Sequence, residues 1–293
     1  MSASFSLSDF VADHVPASDA GLERAFGEAR IALSRRGGRI AIDDLYQKSP
    51  ARILIPRIDG RTGAEIVFIN TSGGVAGGDV MRYAVSASGG ARLRATTQAA
   101  EKIYRALDRQ AVLENRVRAS GGASLEWLPQ SSIIFDGARF ARQTEIDVDG
   151  GSTILAFDSI VLGRGAHGET VREGLVRDDW RVRRDGRLVW ADAFRLQGDI
   201  AAQTSAAALL AGRRAIGTFL YIAGDAASFL EQARALAAKA GILTQVGIVS
   251  GLLVGRFAAQ AAQELMEGAS GFLAAFRELT GASGTWPPAM WRC

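Results

Sequence analysis

Apolar and polar residues alternate in short segments up to about residue 193. Residues 91–96 and 144–149 both follow this two-residue period, which places one set of side chains inside and the other in solvent, as in a half-buried strand. Glycine pairs and Asp-Gly steps separate such segments. Residues 180–190 contain two runs around Asp185 and Gly186, a dipeptide that tolerates the positive φ angles of a tight hairpin turn. The pattern predicts many short strands joined by turns.

After about residue 200 alanine becomes frequent and the apolar period lengthens to that of a helix. Residues 226–240 are predicted to form a helix that stops at Gly241, and a longer helix is predicted from about 251 to 279. The apolar stripe of the first helix comprises Phe229, Ala233, Leu236 and Ala240. The stripe of the second comprises Leu265, Ala269, Phe272, Phe276 and Leu279. We expect the second stripe to pack against the strands in preference to a partner protein.

The tail at 285–291 carries two tryptophans around two prolines. It is predicted to be non-helical and to dock either on the chain's own sheet or on a partner. No tandem repeat and no Pro/Ser-rich linker interrupts the sequence, which favours one domain over residues 1–293. The predicted fold class is mainly β, with a β-rich part at about 20–200 and a helix-rich part at about 200–293.

Charge and cysteine content narrow the class of protein. The 34 Lys and Arg residues nearly balance the 31 Asp and Glu residues and are interspersed with them, so no nucleic-acid surface is predicted. The one cysteine, Cys293, excludes an internal disulfide and leaves no cysteine-based zinc site. The N-terminal residues lack the basic start and apolar core of a secretory signal. The most apolar stretch, 242–262, contains Arg256 and two glutamines, unlike a membrane span. We therefore expect a cytoplasmic protein.

Catalytic chemistry is sparsely supplied. The two histidines, His14 and His167, lie far apart, and no G-x-S-x-G elbow is present, which disfavours a serine hydrolase. The glycine-rich segment 73–79 ends in Asp79, where a phosphate loop needs a lysine. Residues 163–168 match G-x-G-x-x-G, yet no helix is predicted to begin there, as a dinucleotide site requires. A nucleotide-dependent oxidoreductase at 163–168 is kept as an alternative, but the sequence favours a protein that is not an enzyme.

Four carboxylates stand beside glycines or in otherwise apolar or aromatic segments: Asp79, Glu101, Asp136 and Glu169. Each is typical of an acid that caps a turn. The alternative is that each supplies a weak, transient oxygen ligand to a metal ion passing through, because an ion that must leave cannot be held tightly. Neither a tightly bound metal nor a tightly bound cofactor is expected from these residues.

Four segments resemble the UreD (also called UreH) family of urease accessory proteins. Residues 73–79 (GGVAGGD) are similar to its GG-x-x-GGD signature, and 96–105 (TTQAAEKIYR) to its TT-x-x-A-x-K-x-YR segment. Residues 125–136 (LEWLPQSSIIFD) resemble its LEWLPQ-x-x-I-x-F stretch, and 162–169 (LGRGAHGE) its LGR-x-x-x-GE. The segments occur in the family's order. The tail departs from the family's P-R-x-W ending, since Pro288 is followed by Ala289.

The resemblance implies a role, a fold and partners. Such proteins act with a UreF-type protein and a UreG-type GTPase on apo-urease, so that nickel passes through in transit and GTP is bound by the partner. The family fold is a helix-like stack of short strands with a few helices. The resemblance also implies that Asp79 and Glu169 lie along a path for nickel. A generic β-rich interaction module without a link to urease is a further alternative.

Overall fold

The strands make up most of the chain. The computed structural model describes residues 24–59, 63–282 and 284–292. In chain order its strands are β1 (Phe26–Arg36), β2 (Arg39–Lys48), β3 (Ala51–Asp59), β4 (Gly63–Asn70), β5 (Val80–Ser88), β6 (Arg92–Thr97), β7 (Glu101–Ile103), β8 (Ala111–Ala119), β9 (Ser124–Leu128), β10 (Ser132–Ile134), β11 (Arg139–Val148), β12 (Thr153–Leu162), β13 (Glu173–Arg184), β14 (Arg187–Asp199), β15 (Ala215–Ile222), β16 (Leu243–Val249) and β17 (Leu252–Ala259). The helices are α1 (Ile200–Ser205), α2 (Leu230–Ala238) and α3 (Ala262–Leu279), with short 3-10 helices at Gly165–His167, Ala226–Phe229 and Ala289–Arg292. The predicted mainly β fold class is confirmed.

Two sheets face each other, and in the central part of the chain successive long strands belong alternately to one sheet and to the other. The first sheet has the order β14-β13-β11-β8-β5-β1-β2, and the second β16-β17-β15-β12-β9-β6-β4-β3, with β10 and β7 attached beside β12. The central strands pair in parallel in both sheets. Each coil of this solenoid-like stack therefore adds one strand to each sheet, and the parallel strands of a sheet all end at the same edge.

Stacked glycine turns connect strands of the first sheet to strands of the second, at the edge where the parallel strands of the first sheet end. Gly89 and Gly90 have φ angles of 61° and 75°, and Gly121 and Gly122 in the next coil have 62° and 75°. A Cβ atom on Gly121 would lie 3.2 Å from the backbone nitrogen of Gly89. Glycine is required here because other residues rarely adopt these angles and the turns stack closely. The glycine pairs seen in the sequence thus set where each coil reverses.

Inward-facing side chains alternate with outward-facing ones and fill the space between the sheets. The strand β11 alternates partly exposed and buried residues along its whole length, as the pattern at 144–149 predicts. The hairpin predicted at 180–190 is formed by β13 and β14, in which Arg184 pairs with Arg187 across the turn. Asp185 and Gly186 have φ angles of 52° and 77°, as a two-residue turn of this kind needs.

The second sheet is covered on its outer face by α2, α3 and the tail. The residues Leu265, Ala269, Phe272 and Phe276 are buried in a second apolar cluster against this sheet, which confirms the predicted packing. Leu279, the last predicted member of the stripe, is 43% exposed, so its assignment was wrong. On α2 the predicted stripe is partly right, since Ala233 is buried and Phe229 and Leu236 pack at the edge of the cluster.

The longer predicted helix begins too early. Residues Leu252–Ala259 form strand β17, paired with β15 on one side and β16 on the other, and α3 starts only at Ala262. Buried and partly exposed residues alternate from Leu253 to Ala259, a strand period that the surrounding alanines obscured. The segment predicted to be helix-rich therefore also contributes β15, β16 and β17.

The tail docks on the chain's own second sheet, one of the two predicted possibilities. The Trp291 indole nitrogen donates to the Leu128 carbonyl at 3.1 Å, and the Trp286 indole nitrogen donates to the Ser270 carbonyl at 3.1 Å. Ala289–Arg292 form a single 3-10 turn, so the prediction of a wholly non-helical tail was wrong. These hydrogen bonds hold the two partly buried indoles against α3 and the second sheet.

Candidate functional site

The loops after β4, β7, β10 and β12 lie side by side at the edge where the parallel strands of the second sheet end. Val75 donates its backbone N–H to the carbonyl of Lys102 at 2.8 Å, and Tyr104 donates back to Val75 at 3.0 Å. The next loops continue this ladder through Phe135 to Ile103 and Gly163 to Ile134. We call residues 71–79, 104–110, 135–138 and 163–172 the loop end. Segments of all four sequence motifs therefore meet in one place.

Asp79 holds the glycine-rich loop in shape. Its Oδ1 accepts the backbone N–H of Ala25 at 2.8 Å, and its Oδ2 accepts the backbone N–H of Ala76 at 2.8 Å. The residue is 8% exposed. Both carboxylate oxygens thus satisfy backbone donors that would otherwise lie unpaired near the start of β1 and β5. This is the arrangement of a turn-capping acid.

Gly77 is needed because neighbouring atoms approach it closely. Its φ angle is not positive, but a Cβ atom there would lie 2.6 Å from the Cβ of Ala106 and 2.7 Å from the carbonyl oxygen of Arg109. We expect Gly77→Val to lower the free energy of unfolding by about 1–3 kcal/mol through overpacking. Chemical denaturation measures this, with Gly165→Ala as the control, since nothing lies within 4 Å of that position. Equal stability of the two variants would contradict the close approach.

Glu169 and Asp136 are joined in a second hydrogen-bonded set. Glu169 Oε2 accepts from the backbone nitrogen and Nε of Arg164 at 3.0 and 2.8 Å, and its Oε1 accepts from the backbone nitrogen of Asp136 at 3.3 Å. The hydrogen bond from Arg164 lowers the pKa of Glu169. The Arg164 guanidinium also lies 4.2 Å from the centre of the Phe135 ring. Glu169 therefore fixes the loop after β12 against the loop after β10.

Glu101 differs from the other three acids because it points into the interior. Its Oε1 accepts from the Asn70 amide at 3.0 Å, and the same amide group donates to the carbonyl of Gly74 at 3.1 Å. Burial raises the pKa of Glu101 to about 7, against the opposing effect of the Asn70 hydrogen bond. Asn70 thus connects this interior carboxylate to the glycine-rich loop.

A small cavity lies between the two sheets, next to the loop end. Its volume of about 20 Å³ is enough for roughly one water molecule. Its lining consists of Tyr83, Thr97, Glu101, Leu113, Asn115, Trp127, Pro129, Gln130, Ser132, Arg142 and Asp158. The Oδ1 atom of Asn115 and the Nε1 atom of Trp127 are buried without a hydrogen-bond partner among the described residues. Unpaired groups of this kind, one donor and one acceptor, suit a bound water molecule.

Arg142 lines this cavity and lies between two aspartates. Its Nε and Nη2 donate to the two oxygens of Asp178 at 2.8 and 2.9 Å, and its Nη1 donates to Asp158. The indole nitrogen of Trp180 donates to Asp178 at 3.1 Å. All of these side chains are buried. The forked geometry makes this a strong ion-pair group that links β11 with β12 and β13.

Comparison with known proteins decides the family. Residues 25–292 match a sequence model described as UreD urease accessory protein. The chain belongs to the UreD family. It is 43% identical over 255 residues to the urease accessory protein UreD of Xanthobacter autotrophicus, covering 87% of this chain and 88% of that protein. It is 38% identical over 255 residues to the UreD of Azorhizobium caulinodans, covering 87% and 94% respectively. The resemblance stated from the four motifs is confirmed.

The dinucleotide alternative has no structural support in this UreD-family chain. Residues 163–168 leave β12 and form a 3-10 turn at Gly165–His167, and the next element is strand β13. No α-helix begins in this segment to receive a pyrophosphate. His167 is exposed in the turn, and His14 lies outside the described residues.

Among the residues that the structure describes, no three or more His, Cys, Asp or Glu side chains are grouped so as to hold a metal ion. In the same part of the chain, no helix combines the length and apolar character needed to cross a membrane.

The interior residues Arg142 and Asp158 were missed by the sequence analysis of this UreD-family chain, although the sequence carries a signal for each. Asp158 is the one charged residue in the apolar strand Thr153–Leu162, and a charge in such a run is rarely buried unless it is paired. Arg142 falls on the inward phase of the alternation in β11. A search for polar residues at inward positions would have found both.

Lowering the charge of Glu101 tests its environment. Between the pKa of an unfolded glutamate, about 4.3, and about 7, the native state binds more protons than the unfolded state, so stability falls as pH rises. We expect this loss of stability to reach about 3 kcal/mol above pH 7. Glu101→Gln keeps an acceptor for Asn70 but cannot ionise, so it should remove this pH-dependent loss of stability. Urea denaturation between about pH 5 and pH 8 measures the slope, with the 79% exposed Glu231→Gln as control. An unchanged slope in Glu101→Gln would contradict the prediction.

Proposed function

We propose that this chain is a cytoplasmic, non-enzymatic accessory protein that assists the insertion of nickel into apo-urease. In this proposal it acts in a complex with a UreF-type protein and a UreG-type GTPase, which binds the GTP. The observation that carries the proposal is the family match over residues 25–292. The gathering of all four motifs at the loop end supports it, because residues that share one edge can act on one partner or one passing ion.

Nickel is the cargo in this proposal, and the acids divide into two groups. Asp79 and Glu169 are proposed to lie along the path of nickel, and their hydrogen bonds also shape the loops that border it. Glu101 supplies a carboxylate on the cavity next to these loops. Oxygen ligands of this kind bind a borderline metal ion more weakly than imidazole or thiolate groups do. Weak binding suits an ion that must be released.

Reconstitution tests the proposed function. Apo-urease is combined with nickel, GTP and purified UreF-type and UreG-type proteins, with and without this chain, and urease activity is measured. We expect activity to depend on the chain and the chain to co-purify with the UreF-type protein. If the chain neither binds these proteins nor changes activation, the family membership describes its ancestry and not its role, and the generic interaction module becomes the better description.

Substitution of the loop acids tests their effects on protein stability and on urease activation. We expect Asp79→Ala and Glu169→Ala to reduce urease activation at least severalfold. Asp79→Ala should also lower the free energy of unfolding by about 1–3 kcal/mol, because it leaves two partly buried backbone donors unpaired. Glu267→Ala, an exposed acid on α3, is the matched control. Denaturation and activation are measured on the same samples. Activation that matches the control in folded variants would remove both acids from the nickel path.

A further inference from the structure

We propose that the outer surface of the loop end is a docking site for an acidic segment of a protein partner. The surface consists of Arg105, Arg164 and Arg172 together with Leu107, and we call it the arginine surface. That the partner belongs to the urease-activating machinery rests on the proposed function. The surface itself follows from the exposure and charge of these side chains.

The arginines point outward and their acidic partners lie beneath them. The side chains of Arg105 and Arg172 are 69% and 78% exposed, whereas Asp136, which both approach, is 16% exposed. Arg164 is 44% exposed above Glu169, which is 15% exposed. A molecule that approaches the loop end therefore meets guanidinium groups first.

The acids beneath the arginines already accept backbone hydrogen bonds within the loop end. Asp136 Oδ1 accepts the backbone N–H groups of Arg172 and Glu173 at 2.7 and 3.2 Å. Arg105 reaches Asp136 Oδ2 through one nitrogen at 3.2 Å, and Arg172 only at 3.7 Å. Each guanidinium has five N–H donors. Most donors of these two arginines therefore face solvent and can form forked hydrogen bonds with carboxylates of another molecule.

An apolar residue stands beside the arginines on a fixed loop. Leu107 is 90% exposed, the highest value among the large apolar residues of the described chain. Its loop is held before Leu107 by the backbone N–H of Ala106, which donates to Gly137 at 3.0 Å. After Leu107 it is held by the carbonyl of Gln110, which accepts from the backbone N–H of Gly78 at 3.0 Å. A loop anchored on both sides presents Leu107 at a defined position, as a contact residue among charged neighbours requires.

The charges favour an acidic peptide segment over a nucleic acid. The arginine surface is short, and the exposed acids Asp108 and Glu173 lie next to it in sequence. A long phosphate backbone would meet these carboxylates, whereas a short segment with two or three acids can contact the arginines alone. The balanced charge of the whole chain adds no wider basic field.

Charge reversal tests the arginine surface in the full chain. The double variant Arg105→Glu/Arg172→Glu is compared with Arg187→Glu/Arg195→Glu, which makes the same charge change at exposed positions of β14. Dissociation constants are measured for apo-urease and for the UreF-type protein at low and physiological salt. We expect binding to at least one of them to weaken about tenfold or more at low salt in the first variant, and less than about twofold in the control. The difference should shrink as salt rises.

Several outcomes would overturn the inference. These are equal affinities for both double variants, or binding of a short duplex DNA that the first variant loses. If Arg105→Glu/Arg172→Glu does not fold, Arg105→Ala/Arg172→Ala decides, with an expected weakening of at least about threefold. A wild-type chain that activates urease while these variants bind unchanged refutes only the docking surface. A wild-type chain that neither binds nor activates refutes the proposed function.

Discussion

Arg142→Met is expected to lower the free energy of unfolding by about 3–5 kcal/mol, the usual cost of removing one partner from a buried ion pair. The guanidinium is 1% exposed and lies between Asp158 and Asp178, which are 2% and 7% exposed. Although burial opposes the charged form, the two carboxylates raise the pKa of Arg142 above its ordinary value. Methionine fills much of the volume but leaves two carboxylates buried without a positive charge.

The measurement is urea denaturation near neutral pH, with two comparisons. Arg234→Met removes an ion pair in which both side chains are more than half exposed, and it should cost less than about 1 kcal/mol. Adding Asp158→Asn and Asp178→Asn to Arg142→Met should recover part of the loss, because the uncompensated charges are then gone. A loss in Arg142→Met no larger than in Arg234→Met would show that the carboxylates find other compensation.

The strand texture of this protein could be predicted because its cause is local. In β11 the alternation of side chains and in the hairpin the Asp185-Gly186 turn both depend on a few neighbouring residues. The alternation does not say which strand pairs with which. The winding of the chain between two sheets depends on contacts between residues about thirty positions apart, such as Arg82 with Glu114.

The predicted start of the longer helix was wrong for a physical reason. Leu252–Ala259 is rich in small and apolar residues, so its alternation of buried and partly exposed positions is hard to recognise from the sequence. Its neighbours decide the outcome, since β15 and β16 supply the backbone hydrogen bonds on either edge. Tertiary pairing therefore overrode the local preference for helix.

The candidate site could also be predicted only in part from the sequence. The sequence singled out Asp79, Glu101, Asp136 and Glu169 because each stands out from its neighbours. The structure brings Asp136 and Glu169 into one hydrogen-bonded set and gives Asp79 a separate set. Only the fold shows that Glu101 shares a cavity with Asp158. These residues come from different coils, and their distance in space cannot be inferred from their spacing in the chain.

Phe276→Ala is expected to lower the free energy of unfolding by about 3–5 kcal/mol. The ring is fully buried between α3 and the second sheet. Its centre lies 5.2 Å from that of Phe219, 5.1 Å from Tyr221 and 5.8 Å from Phe272. Truncation removes these contacts and leaves a cavity whose walls are held by strand β15 and helix α3, so the structure can relax only in part.

Leu279→Ala is the matched control on the same helix, one turn further along. The sequence places both residues on one apolar stripe, but Leu279 is 43% exposed and Phe276 is not exposed at all. We therefore expect Leu279→Ala to change the free energy of unfolding by less than about 1 kcal/mol. Both variants are measured by urea denaturation with the same slope analysis. Similar losses would mean that Leu279 is covered in solution, and a small loss in both would mean that α3 contributes little to the stability of the second sheet.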